Sequence, residues 1–113
     1  MKLGEVVAAL DLKAIGSVDP ELAVDGVYTS DLLSDVMAHA HEADLLVTIQ
    51  SHVNTIAVAT VVDVHSIVFC NSRPVNEELI AAAQRESVQL FVTDMDQFTV
   101  SGKLYALLQR NAT

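Results

Sequence analysis

Basic side chains are scarce in this sequence. Its 113 residues contain six Lys and Arg against fifteen Asp and Glu, which gives a formal net charge of −9. Nucleic acids and anionic membrane surfaces are bound through clusters of Lys and Arg. The composition therefore argues against nucleic acid and against a membrane as partners.

Cysteine and long apolar runs are also lacking. Cys70 is the single cysteine, which excludes an internal disulfide and any multi-cysteine zinc or iron–sulfur site within one chain. No stretch reaches the roughly 18 consecutive apolar residues of a membrane helix, and the N-terminus lacks the apolar core of a signal peptide. We therefore expect a cytoplasmic protein that forms a single domain over residues 1–113.

No catalytic motif stands out. The sequence contains no G-x-S-x-G, no P-loop and no H-E-x-x-H, and its carboxylates are too scattered to nominate an acid–base pair. Cys70 ends an apolar segment, where a cysteine is usually a small inert hydrophobe. The sequence thus predicts a protein that is not an enzyme, with no catalytic residues and no cofactor.

The histidines do not have the spacing of a metal site. His39 and His41 are two residues apart, so on a helix their side chains diverge by about 200°. Asp35, His39 and Glu42 share one helical face, but it lies outside the apolar arc and is typical of a solvated surface. We expect no bound metal.

What the sequence does contain is a regular alternation of apolar segments and helical patterns, with 51% hydrophobic residues. Residues 54–62 are ambiguous, because β-branched side chains favour a strand while alanines and Asn54 favour a helix. A strand there would leave only about three residues before the next one, too few for a parallel crossover. Strands are predicted near 24–30, 44–49, 66–70 and 88–93, and helices near 3–10, 31–41, 54–62, 76–86 and 97–109.

Alternating strands and helices predict an α/β fold. We expect a mostly parallel sheet of four to five strands with helices on both faces, joined by right-handed crossovers.

Polar side chains are concentrated where the predicted strands end. The carboxyl ends of parallel strands meet at one edge of a sheet, where α/β proteins bind their ligands. Such residues are also ordinary helix caps, and Ser30 or Asp31 is well suited to cap the helix that follows. The candidate ligand-binding residues at this edge are Ser30, Asp31, Gln50, Ser51, His52, Asn71, Arg73 and Asp94.

His52 and Arg73 are the two candidates that are not preferred caps. Beside helix N-termini they are suited to hold a phosphate or carboxylate. The alternative is an ordinary loop histidine and a surface arginine paired with an acid. Asp31 and Asp94 oppose an anion, which favours weak binding or a ligand whose ribose or amide groups meet the carboxylates while its phosphate meets Arg73.

Residues 26–37 read Gly-Val-Tyr-Thr-Ser-Asp-Leu-Leu-Ser-Asp-Val-Met, and 44–50 read Asp-Leu-Leu-Val-Thr-Ile-Gln. Together with Ile56-Ala-Val-Ala59, Asn71 and Gly102-Lys-Leu-Tyr105, they resemble the DRTGG domain family over about residues 1–108. The five letters that name the family fall near Ala23 to Val27, where this chain keeps only Gly26.

The resemblance implies an α/β domain similar to the N-terminal domains of HPr kinase/phosphorylase and the Mur ligases. It also implies a regulatory or accessory role, which in short relatives is associated with iron-only hydrogenases. It transfers no catalytic residue.

These observations predict a non-catalytic regulatory domain that binds a small anionic ligand, a nucleotide or phosphometabolite, and self-associates. The mean hydropathy of +0.39 is high for so small a chain, which favours a homodimer that covers some apolar surface. The alternative is an accessory protein that binds a protein partner, such as a component of an iron-only hydrogenase system.

Overall fold

A five-stranded sheet flanked by helices forms the core of the molecule in a computed structural model, which describes residues 1–111. The helices are α1 (Leu3–Leu10), α2 (Leu33–His39), α3 (Val53–Val61), α4 (Glu77–Glu86) and α5 (Gln97–Asn111). The strands are β1 (Lys13–Ile15), β2 (Gly26–Thr29), β3 (Asp44–Thr48), β4 (Ser66–Phe69) and β5 (Gln89–Val92).

The strands lie in the order β1-β5-β4-β3-β2. β2 to β5 are parallel, and β1 pairs antiparallel with β5 at one edge, with Lys13 opposite Val92. The predicted α/β class with a mostly parallel sheet is confirmed. β1 was not assigned from the sequence, because three residues are too few to show a period.

Helices cover both faces of the sheet, as expected. α2, α3 and α4 pack on one face, and α1 and α5 pack on the other. Because β2 to β5 follow one another in one direction across the sheet, crossovers of one hand place their helices on the same face. The interior strands β3 and β4 are buried along their whole length, which explains why they are mostly apolar. The ambiguous segment is helical over Val53–Val61, which confirms the crossover argument over β propensity.

Gly26 begins β2 where the neighbouring strand brings a buried carboxylate very close. A Cβ at this position would lie 2.6 Å from Oδ1 of Asp44. Asp44 is held in place because its Oδ2 accepts a 2.7 Å hydrogen bond from the backbone N–H of His41. A glycine is therefore required here by close packing.

We expect Gly26→Ala to lower the free energy of unfolding by about 1–3 kcal/mol, since the added methyl must displace a buried, bonded carboxylate. Gly102→Ala is the matched control: that glycine is exposed within α5 and has open space around its Cβ position. It should raise the free energy by about 0.5–1 kcal/mol through helix propensity. Urea unfolding of both variants is the measurement, and an equal effect of the two would refute the packing argument.

Candidate ligand-binding groove at the carboxyl edge of the sheet

Asp31 is the centre of a hydrogen-bond network at the carboxyl ends of β2 and β3. Its Oδ1 accepts from the backbone N–H of Ile49 (2.9 Å), the hydroxyl of Thr48 (3.0 Å) and Nε2 of Gln97 in α5 (2.9 Å). The side chain of Gln50 donates to the Asp31 carbonyl at 3.0 Å. The network ties the ends of two strands to the start of α5, so the Asp31 carboxylate already has three donors.

The start of α2 differs from the sequence expectation. The helix begins after Leu32, whose N-cap position has no side-chain hydrogen bond, so neither Ser30 nor Asp31 caps it as expected. Ser30 instead accepts from the backbone N–H of Leu32 at 3.2 Å in the turn before the helix. The Asp31 carboxylate bonds to the end of β3 instead of capping α2.

His52 is the N-cap of α3, which corrects its treatment as a residue unsuited to capping. Its Nδ1 accepts from the backbone N–H of Asn54 at 3.0 Å, so that nitrogen carries no proton in this arrangement. Next to it, Ser51 is half-buried and its backbone N–H donates to the carbonyl of Ile49 at 2.9 Å. Both residues therefore shape the turn between β3 and α3.

The turn after β4 has a different backbone. Asn71 and Ser72 both have positive φ, 60° and 52°, and the N–H of Arg73 donates to the Cys70 carbonyl at 3.2 Å. These features define a tight turn of the type I′ class. The N–H of Ser72 also bonds to the carbonyl of Thr93 at 2.9 Å, which ties this turn to the segment after β5.

Beside this turn lies an open groove of about 450 Å³. Its volume falls within the range of small-molecule sites. The wall contains two cationic, two acidic and three aliphatic side chains besides Ser72 and Thr93. They are Lys13 and Arg73, Asp11 and Asp94, and Ile15, Val75 and Val92.

The structure thus places the eight candidate residues in different surroundings. Arg73 and Asp94 line the groove, and Asn71 builds the turn beside it. Asp31 and Gln50 meet in the network at the ends of β2 and β3, and the remaining three residues, Ser30, Ser51 and His52, form the turns before α2 and α3.

Sequence reasoning missed Asp11 and Lys13, because β1 was not recognised. The apolar residues Leu12, Ala14 and Ile15 around Lys13, between the end of α1 and Gly16, are the one signal of a strand there.

A second polar cluster lies on β2 and α2. Tyr28 donates to Oδ2 of Asp35 at 2.6 Å, and Nδ1 of His39 lies 3.0 Å from Oδ1 of the same carboxylate. The hydrogen bond from Tyr28 holds the pKa of Asp35 below its usual value, and the same bond raises the pKa of Tyr28. The predicted polar face of α2 is therefore bonded to β2 rather than fully solvated.

The structure also bears on a reactive thiol, a metal site and a membrane span. Burial raises the pKa of the Cys70 thiol to about 11, so at neutral pH this cysteine is a neutral core residue. Within residues 1–111, no group of three or more His, Cys, Asp or Glu side chains is arranged to hold a metal ion. In the same range, no helix has the length and apolarity needed to span a membrane.

We expect Asp31→Ala to destabilise the protein by about 1–3 kcal/mol, because the donors on Ile49, Thr48 and Gln97 lose their common acceptor. Asp31→Asn keeps an acceptor oxygen at that position, so it should lower the free energy of unfolding clearly less than Asp31→Ala does. Denaturant unfolding of the two variants measures this difference. Equal losses would show that the carboxyl oxygen is not what holds the edge together.

Neither a protein-family model nor a curated protein matches the chain. Its structure is similar to the crystal structure of the CBS and DRTGG domains of the regulatory region of a Clostridium perfringens pyrophosphatase, complexed with the activator diadenosine tetraphosphate. The TM-score is 0.66 at 15% identity, over 88% of this chain and 44% of that one, so the chain spans less than half of that structure. This chain therefore has a DRTGG-like fold, in agreement with the resemblance in its sequence.

Proposed function

We propose that this protein is a non-catalytic regulatory domain that self-associates and binds a nucleotide in the groove beside Arg73. The observation that carries the proposal is the composition of this groove. Lys13 and Arg73 line the groove together with the aliphatic side chains of Ile15, Val75 and Val92. Cationic and flat apolar surfaces side by side are what a phosphate attached to a heterocyclic base requires.

The two acids of the groove narrow the ligand class. Asp11 and Asp94 would repel a bare phosphate, but their carboxylates can accept hydrogen bonds from ribose hydroxyls or amino groups. A nucleotide has both an anionic group and hydrogen-bond donors, with the phosphate toward Lys13 and Arg73 and the sugar toward the acids. Inorganic phosphate has only the anionic group and should bind much more weakly than a nucleotide.

The long-range field of the protein limits the affinity. With a net charge of −9, the protein repels an anion before it reaches the groove. Binding must therefore rest on short-range contacts, and raising the ionic strength should screen the repulsion as well as the attraction. We expect modest affinity with a weak dependence on salt.

The similar structure supports a regulatory ligand-binding role. That regulatory region, which has a DRTGG domain, was crystallised with diadenosine tetraphosphate as its activator. Adenine nucleotides are therefore the probes to choose first. The other candidate residues, such as Asp31 and His52, are proposed to shape the edge that presents Arg73 and Asp94.

We expect Arg73→Ala to weaken the binding of ATP or diadenosine tetraphosphate by about 1.5–3 kcal/mol, the usual range for hydrogen bonds to charged groups. Lys13→Ala should also weaken the binding of these nucleotides. Isothermal titration calorimetry measures the affinities, and thermal unfolding verifies that each variant is folded.

Lys103→Ala is the matched control. Lys103 is exposed on α5 and outside the groove, and its removal changes the net charge by the same amount as removal of Lys13. It should leave the affinity unchanged. If neither adenine nucleotide binds, or if all three variants weaken binding alike, the groove is not the binding site.

The second candidate function is that of an accessory subunit for another protein, for which the outward face of α5 is the favouring observation. Phe98 and Tyr105 are 87% and 69% exposed there, seven residues apart on one side of the helix. Residues 97–111 contain Lys103 and Arg110 and no acid, in a chain otherwise rich in carboxylates. An acidic surface of a partner protein would fit this face, and a component of an iron-only hydrogenase system is the partner to test.

This second function is tested with a purified hydrogenase component as the probe. Binding measured by calorimetry should be lost in Phe98→Ser with Tyr105→Ser and kept in Arg73→Ala. Absence of binding by the unmodified protein would remove this candidate.

A further inference from the structure

The longest stretch without a charged side chain runs from Leu45 to Val62, between Asp44 and Asp63. It forms β3, which is buried throughout, and α3, which is not. No residue of α3 is charged, and its solvent-facing positions combine the polar Asn54 and Thr60 with the apolar Ala57 and Val61.

The contrast with α4 makes this face unusual. α4 packs beside α3 on the same face of the sheet, but its outward residues include Glu77, Glu78 and Arg85. That helix has the ordinary pattern of an exposed surface. α3 has no charged residue on its outward face, so another molecule can pack there without burying a charge.

The shape of the surface is that of a shallow groove between α3 and α4, with a volume of about 300 Å³. Ile56, Ala57 and Thr60 form one wall and Ala82 contributes to the other. The small side chains allow close approach of a second helix, and the side chain of Val61 is 67% exposed at the end of α3.

The rim of this groove has one charge of each sign, Arg85 and Glu86. In a twofold contact each residue of one copy meets the other copy's equivalent surface, so Arg85 can pair with Glu86 of the second copy in both directions. A partner of uniform charge would instead leave one of the two unpaired. The groove is therefore complementary to itself.

We infer that the outward face of α3, with the groove beside α4, is the surface through which two copies of this chain dimerise about a twofold axis. This inference rests on the self-association included in the proposed function and names its surface. α3 alone is only about 14 Å long. To bury the roughly 800 Å² per copy of a stable dimer, the contact must extend to α4 and to α2, where Met37 is exposed.

The test is the mass in solution of the full chain and of Ala57→Arg, measured by analytical ultracentrifugation from about 1 to 100 μM. The unmodified protein should reach about 24 kDa, twice the 12.1 kDa of one chain. Ala57→Arg should raise the dimer dissociation constant by about a hundred-fold or more, because it would bury an unpaired charge. Arginine is a good helix former, so the exposed site should tolerate it in the monomer, which circular dichroism verifies.

The rim charges supply a rescue experiment. Arg85→Glu and Glu86→Arg should each weaken the dimer, and the double variant should restore it, since the pairs then form with the signs exchanged. Phe98→Ser on α5 is the control and should leave the mass unchanged.

The possible failures are distinguishable. A monomer of the unmodified protein at 100 μM would overturn both the self-association and this surface, while nucleotide binding to the groove beside Arg73 would be unaffected. A dimer that survives Ala57→Arg, or that dissociates in Phe98→Ser instead, would overturn the α3 surface alone.

Discussion

The carboxylate of Asp31 accepts the hydrogen bonds that hold the carboxyl edge of the sheet together. Its Oδ1 receives donors from the end of β3 and from the first residue of α5, and thereby joins a strand of the sheet to a helix packed against it. Thr48 and Thr55 complete the turn after β3 with hydrogen bonds to Asp31 and to the Gln50 carbonyl. These polar groups therefore satisfy one another across this half of the edge. The other half, between the ends of β4, β5 and β1, is left open as the groove.

The groove depends on two features that a purely parallel sheet would not have. The antiparallel β1 extends the sheet beyond β5 and places Lys13 opposite Val92. The turn at Asn71 and Ser72 carries Arg73 back across the edge, and its backbone bond to Thr93 fixes the distance between the two loops. A cation from each side thus meets the aliphatic ends of the strands. The proposed nucleotide site follows from this geometry rather than from any sequence motif.

Much of this architecture could be predicted from the sequence, and the reasons lie in particular elements. The buried strands β3 and β4 are mostly apolar, and the helix over Val53–Val61 followed from the length of the crossover. β1 could not be found, since its three residues are a strand only through pairing with the distant β5. The roles of Asp31 and His52 were equally hidden. Whether a polar residue caps a helix or bonds to a neighbouring strand depends on where the chain folds back, which local sequence does not specify.

If a nucleotide occupies the groove beside Arg73, its binding must perturb the residues that line this groove. Mapping the backbone amide signals of the protein by NMR during a titration with ATP tests this proposal most directly, because every part of the edge is observed at once. We expect saturable shifts at Lys13, Ser72, Arg73, Thr93 and Asp94, with small shifts around Asp31 and Gln50. Shifts centred on Asp31, Gln50 and His52 instead, or no saturable shifts at all, would contradict it.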